Sequence, residues 1–174
     1  IDCGCLWDVP YTLEMDRRLG EFRLKFIEEP LSPDDIPGYE RLCLEIRHTQ
    51  IASGEHEYTR WGFAELLRHK AVHVLQPDVT WSGGLTECRR IAAMASGHSL
   101  PVIPHRGGSP YGMALILTCP NCELAESFGT GEAGNELMSA MTPRFENGYY
   151  YPSPGPGFGA ELSEEMVRKH LRRR

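Results

Sequence analysis

Short apolar runs that stop at an ionisable residue alternate along this chain with longer segments whose apolar positions recur at helical spacing. The clearest example lies mid-chain. Val72, Val74 and Leu75 lead into Pro77-Asp78, Gly83-Gly84 follows, and Leu85 to Ser96 presents Leu85, Cys88, Ala92 and Ala95 as a small-residue helical face ended by Gly97. Val102-Ile103 then runs to Pro104-His105. This is strand, helix, strand, and a parallel crossover predicts Asp78 and His105 side by side at one rim of a sheet.

The same unit recurs on either side. Ile1-Asp2 reads as the end of a strand, and Val9-Pro10 starts a helix with Val9, Leu13 and Leu19 apolar and Gly20 at its close. Arg23 to Ile27 is a predicted strand that delivers Glu28-Glu29-Pro30. Ser32 is the predicted cap of a helix opening at Ser32-Pro33-Asp34-Asp35, interrupted at Pro37-Gly38 and resumed from Tyr39 to Ile46. Gln50 to Ser53 leads to Gly54-Glu55-His56, and Thr59 then caps a helix with Phe63, Leu66 and Leu67 inward. Tyr111 to Thr118 predicts a hydrophobic helix, and Glu123-Leu124-Ala125 a last short strand reaching Glu126. From 127 to 160 the alternation gives way to Gly, Pro and Tyr, which predict an extended tail packed over the body, and Ser163-Glu164-Glu165 caps a final helix.

Six predicted strands thus end at Asp2, Glu28, Glu55, Asp78, His105 and Glu126, spaced 26, 27, 23, 27 and 21 residues apart. One strand-plus-helix unit of a (β/α)8 barrel of about 250 residues has nearly that length. A single acid at a strand end is commonly a loop residue or a helix cap. Six polar ends in succession, with Ser32 and Thr59 already in capping positions, instead predict side chains that converge on one mouth of an α/β barrel.

Composition narrows the partners. A net charge of −6 argues against a general polyanion binder, and the basic end from Arg168 to Arg174 reads as a solvated helix terminus. No apolar run approaches the roughly 20 residues of a membrane span, so a cytoplasmic protein without nucleic-acid or membrane partners is expected. The six cysteines, at 3, 5, 43, 88, 119 and 122, read as thiols rather than a disulfide framework. Cys3-x-Cys5 and Cys119-Pro-Asn-Cys122 offer four thiolates for zinc, but the second pair flanks the beginning of a predicted strand rather than a zinc knuckle.

The strand-end series has a chemistry of its own. Asp2, Glu28 and Glu55 on successive strands repel one another unless a cation lies between them, and an all-oxygen donor set favours Mg2+ over zinc. Asp78 and His105 make a carboxylate–imidazole pair in which the acid can orient the ring and raise its basicity. Glu126 lies on the opposite arc, able to hydrogen-bond the far side of a ligand. A cation beside a histidine base suits removal of a proton next to a carboxylate, with the enediolate charge held by the cation.

At these residues the chain resembles a known family. Phe26-Ile27-Glu28-Glu29-Pro30-Leu31, Ser53-Gly54-Glu55, Gln76-Pro77-Asp78 with Gly83-Gly84, Pro104-His105 and Ala125-Glu126 are similar to the barrel signature of the enolase superfamily, mandelate racemase subgroup. Glu55-His56, Trp81 and Tyr111 make it most similar there to the L-rhamnonate type of dehydratase. The resemblance implies a partial TIM-type (β/α)7β barrel of parallel strands three to eight over residues 1–126, followed by a C-terminal tail and helix over 127–174. It implies a capping domain and two first barrel strands that precede Asp2 in relatives, and a chain opening on Ile1 inside a strand reads as the later part of a larger protein. The implied site has Mg2+ held by Asp2, Glu28 and Glu55, His105 as base assisted by Asp78, Glu126 as hydrogen-bond donor to the substrate carboxylate, and His56 and Trp81 near the substrate. The implied reaction is dehydration of an acid sugar to a 2-keto-3-deoxy acid, in a protein that forms homo-oligomers at full length.

Two departures stand out: Gly4 occupies a position often polar in relatives, and the strand that often bears a lysine base is missing. Three readings follow. The chain is part of a dehydratase, part of an epimerase or racemase with a second base opposite His105, or a fragment inactive without its N-terminal part. A barrel-derived binding module whose acids only cap helices is a fourth and lesser reading.

Overall fold

A computed structural model describes residues 1–127, 143–159 and 161–170. At its centre β1 (Ile27–Glu28), β2 (Ile51–Ser53) and β3 (Val74–Leu75) pair in parallel in that order. The register sets Ile27 beside Ile51, Ala52 beside Val74 and Ser53 beside Leu75. Single parallel bridges, Asp2 to Glu28 and Leu75 to Val102, extend the order by one segment on each side. Five predicted strand ends therefore lie in one parallel array. The sixth differs: residues 122–127 are coil, tied in through bonds such as Gly108 N to Glu126 O (2.9 Å), with the preceding Asn121 O accepting from Val102 N (2.9 Å).

Alternation along each strand divides the core in two, because successive side chains of a strand point to opposite faces. Ile27, Ile51, Leu75 and Val102, all fully buried, join the helix-packed core, whereas Ala52, Val74 and Ile103 with Phe26 form a separate cluster. Glu28 pairs in register with Ala52, and Gln76 is two residues beyond Val74, so both share the face away from the helices. Burial on both faces explains why these strands read as apolar runs rather than as a strict polar–apolar alternation.

The connecting helices are α1 (Val9–Leu19), α2 (Ile36–Glu45), α3 (Thr59–Arg68), α4 (Leu85–Gly97) and α5 (Pro110–Thr118). Neighbours pack together, α1 on α2, α3 on α4 and α4 on α5. Asp8 and Ser109 cap α1 and α5 by accepting from Tyr11 N and Gly112 N. The start of α2 departs from expectation. Asp35, not Ser32, is the cap, accepting from Gly38 N at 3.0 Å. Pro37 does not interrupt the helix but sits in its first turn, where a missing N–H costs nothing. Tyr58 precedes α3 with Thr59 already in its first position, and Glu87 of α4 reaches across to accept from Arg60 N at 2.9 Å, serving as the missing cap. The buried Asp16 ties α1 to the chain after α2 by accepting from the backbone of Arg47 and His48.

Beyond the sheet, β4 (Arg144–Glu146) and β5 (Tyr149–Tyr151) form an antiparallel hairpin. Asn147-Gly148 makes the turn with both residues at positive φ, as a two-residue hairpin requires. Tyr150 touches Gly108 and donates to Ser127 Oγ at 2.8 Å, and Phe158 meets the edge of Tyr111. The described part of the predicted tail thus rests on the loop after His105 and on α5. Ser163 caps α6 (Glu164–His170) by accepting from Met166 N, while the basic end from residue 171 lies outside the described residues. No helix among the described residues is long and apolar enough to cross a membrane.

Truncating the helix-facing side of β2 tests this division. Ile51→Ala is expected to cost about 2–5 kcal/mol in urea unfolding. Leu6→Ala, at a position 86% exposed, should change stability by less than about 0.5 kcal/mol.

Candidate active site

Glu28 closes β1, and the bridge to Asp2 is held by Glu28 N on Ile1 O (2.8 Å) and Cys3 N on Glu28 O (3.0 Å). Asp2 turns its Oδ1 onto Gly4 N at 2.9 Å. Gly4 has φ +55, so the position often polar in relatives is here a left-handed turn that suits glycine. Glu55 lies two residues past β2, after Gly54 at φ +135, where a Cβ would press on Phe63 and the backbone of Gln76.

These carboxylates act on one another. Burial raises the Glu28 carboxyl to about 7, helped by the negative charges of Glu126, Asp2 and Glu55, while a hydrogen bond from Gln76 works the other way. An all-oxygen donor set with carboxylates crowded in this way is one whose mutual repulsion a divalent ion relieves. Asp2, Glu28 and Glu55 therefore fit Mg2+ in chemistry. In geometry they are not the tightest cluster, because Cys5, Glu29 and His56 are the set among the described residues whose donor atoms all lie within 4.8 Å of one another.

His105 stands between two acidic groups. Its Nδ1 is 2.8 Å from Glu55 Oε2 and 3.2 Å from Glu126 Oε2, and its Nε2 is 3.7 Å from Asp78 Oδ2. Burial alone would lower its pKa, but the bonds to Glu126 and Glu55 outweigh it and lift the imidazole to about 10. Asp78 is buried and oriented from behind, its Oδ1 accepting from Thr80 N and Oγ1 (both 2.6 Å) and from Trp81 N (3.2 Å). Its other oxygen reaches His105 at ion-pair rather than hydrogen-bond distance. Glu126, although on coil, is fixed by Arg106 N donating to Oε2 at 2.7 Å.

His56 turns its Nδ1 to Glu29, 2.9 Å from Oε2, and this bond raises its pKa. Its ring meets Trp81 edge-on with centroids 5.8 Å apart, and Trp81 stacks at 6.4 Å over Tyr58. The structure thus brings Glu55, Asp78, His105, Glu126 and Glu28 into one electrostatic group and sets His56 and Trp81 beside it. Sequence reasoning missed Glu29 and Gln76, and read Cys5 only in a thiolate set with Cys3, Cys119 and Cys122. The signal for Glu29 was available in the pair Glu28-Glu29, because adjacent residues at a strand end face different ways. All six cysteines are free thiols, and Cys3, Cys5, Cys119 and Cys122 together form no metal-holding group among the described residues.

The chain thus gathers acids and a histidine at the strand ends of a parallel α/β sheet. The chain belongs to the enolase C-terminal domain-like family, whose model matches residues 1–166. It is 38% identical over 172 residues to a Caldivirga maquilingensis protein provisionally assigned as an L-rhamnonate dehydratase, covering 95% of this chain and 43% of that one. Rhamnonate dehydratase from Gibberella zeae, solved in complex with Mg, superposes with a TM-score of 0.77 at 31% identity, over 97% of this chain and 43% of that one. A Bordetella bronchiseptica RB50 structure provisionally assigned as a mandelate racemase, solved with 2-oxoglutarate/phosphate, gives 0.88 at 32% identity, over 99% and 48%. The chain spans less than half the length of each.

Both raised groups bind their proton more tightly in the folded state, so each gives stability at low pH that is lost as pH rises. For Glu28 the loss runs from 4.5 to about 7, and for His105 from 6.5 to about 10. Without metal, Glu28→Gln should therefore stabilise the protein at pH 8 by about 2–3 kcal/mol and flatten the lower window, while His105→Gln flattens the upper one. Differences in melting temperature between each variant and the parent across pH 4–10 measure this.

Proposed function

We propose that this chain carries the metal and acid–base groups of a Mg-dependent acid-sugar dehydratase, on strands three to eight of a (β/α)8 barrel. The observation that carries the reading is His105, set between the Asp78 carboxylate and the Glu55–Glu126 pair. Likeness to rhamnonate dehydratase supports a six-carbon sugar acid as the substrate class. Six free thiols accord with a reducing, cytoplasmic setting.

Asp2, Glu28 and Glu55 would hold Mg2+, which when bound supplies Lewis-acid stabilisation of charge on the substrate carboxylate. The protein's own groups do the rest. His105 must first lose its proton, and engaging Glu55 elsewhere removes one of the two bonds that hold it. Nδ1, the nitrogen turned toward Glu55 and Glu126, then takes the α proton as the C–H bond breaks, while Asp78 steadies the imidazolium from the Nε2 side. The same imidazolium returns its proton to the β-hydroxyl, which leaves as water, and the enol product tautomerises to the 2-keto-3-deoxy acid. Glu126 is the hydrogen-bonding partner of the substrate carboxylate from the far side. His56 and Trp81 meet the sugar's hydroxyl and apolar faces.

The Bordetella neighbour favours a racemase or epimerase as the second reading. NMR of the reaction in D2O separates them: the dehydratase yields a keto-deoxy acid, whereas α-deuteration with no keto-deoxy product would establish the alternative. His105→Asn is expected to lower kcat by about 10²–10⁴-fold without changing the far-UV circular dichroism, and full turnover by that variant would reject His105 as the base. Removing Mg2+ with a chelator should abolish turnover, and Glu55→Gln should prevent its restoration by Mg2+.

A further inference from the structure

The residues next to the strand-end carboxylates form a second donor set of different chemistry. Cys5 stands three residues after Asp2, while Glu29 and His56 directly follow Glu28 and Glu55. The thiol, carboxylate and imidazole donors all lie within 4.8 Å of one another. Cys5 Sγ is 3.3 Å from Glu29 Oε2, and His56 Nδ1 is 2.9 Å from the same oxygen. Tetrahedral zinc, with bonds of about 2.0–2.3 Å, holds neighbouring donors roughly 3.3–3.6 Å apart. The two separations from Glu29 Oε2 lie within a few tenths of an ångström of that geometry.

Independent features support the placement. Glu29 is 3% exposed, and a carboxylate so far out of water needs a cation or donors around it. Cys5 at φ +61 and Glu29 at φ +41 both hold a left-handed backbone that non-glycine residues rarely adopt, and Cys5 N on Glu29 O at 2.7 Å locks the two segments together. His56, 39% exposed on its side chain, closes the set from the mouth and leaves a solvent side for a fourth ligand.

We propose that Cys5, Glu29 and His56 form a binding site for a borderline-soft divalent cation of the zinc and cobalt class, distinct from the hard set of Asp2, Glu28 and Glu55. Sulfur and nitrogen donors select zinc or cobalt, whereas Mg2+ prefers oxygen alone, so the two sets sort cations by ligand softness. A cation held by His56 Nδ1 fixes that ring beside Trp81. The site shares only His56 with the dehydratase reading and does not depend on it, because its test is spectroscopic.

The protein, kept in excess Mg2+, is titrated with Co2+. One equivalent should produce a thiolate-to-cobalt charge-transfer band with tetrahedral d–d absorption, displaced by Zn2+. The band should vanish in Cys5→Ser and persist in Cys43→Ser. Zinc affinity in Cys5→Ser and in His56→Gln should fall by more than the roughly 10–100-fold that follows loss of a hydrogen-bonded support to a metal ligand. His56 is partly exposed, so its variant carries the test if Cys5→Ser does not fold. Cobalt binding without a thiolate band, or a band undiminished in Cys5→Ser and in His56→Gln, would overturn the assignment.

Discussion

Parallel strands must be covered on both faces, and in this chain the pleat decides what each residue does. Ile27, Ile51, Leu75 and Val102 go to the helices, while Phe26, Ala52, Val74 and Ile103 go to the opposite side. Glu28 follows Ile27 and pairs with Ala52, so it is carried onto that second side, where Gln76 meets it. A slip of one residue would turn Glu28 toward the helices and bury it without a partner. The apolar register and the placement of the acids are therefore one constraint, and the helices, caps and turns serve to hold it.

That constraint creates an electrostatic problem at the strand ends. Burial, and after it the carboxylates gathered from separate strands, raise the Glu28 carboxyl, and His105 answers by holding a proton between Glu55 and Glu126. The imidazolium is thus a structural counter-ion in the resting site. In the proposed reaction it serves as the base once those acidic partners are engaged elsewhere. Asp78, pinned by Thr80 and Trp81, sets its carboxyl group on the Nε2 side of the ring.

Most of the strand and helix order was legible from apolar runs and helical spacing, since each run is short and bounded by Pro, Gly or an ionisable group. The errors fall where a local signal has a competitor. Ser32 was a reasonable cap, yet Asp35 stands nearer the first turn and Pro37 fits inside it. Thr59 resembles a cap, but Glu87 arrives from another helix to do that work. Glu123 to Ala125 has a strand-like pattern and no ladder to join, so it stays coil while still delivering Glu126 to His105. The described hairpin and Phe158 rest on the loop after His105 and on α5, while residues 128–142 lie outside the described residues.

From sequence alone followed the series Asp2, Glu28, Glu55, Asp78, His105 and Glu126, because its spacing is set by the length of a strand-plus-helix unit, a local property of the chain. Only the tertiary structure decided which of these groups touch. It set His105 closer to Glu55 and Glu126 than to Asp78, and drew Cys5, Glu29 and His56 into one cluster. Periodicity reports which residues share a face, whereas distances of a few ångströms depend on loop turns and left-handed residues such as Cys5 and Glu29, for which the sequence has no periodic signal.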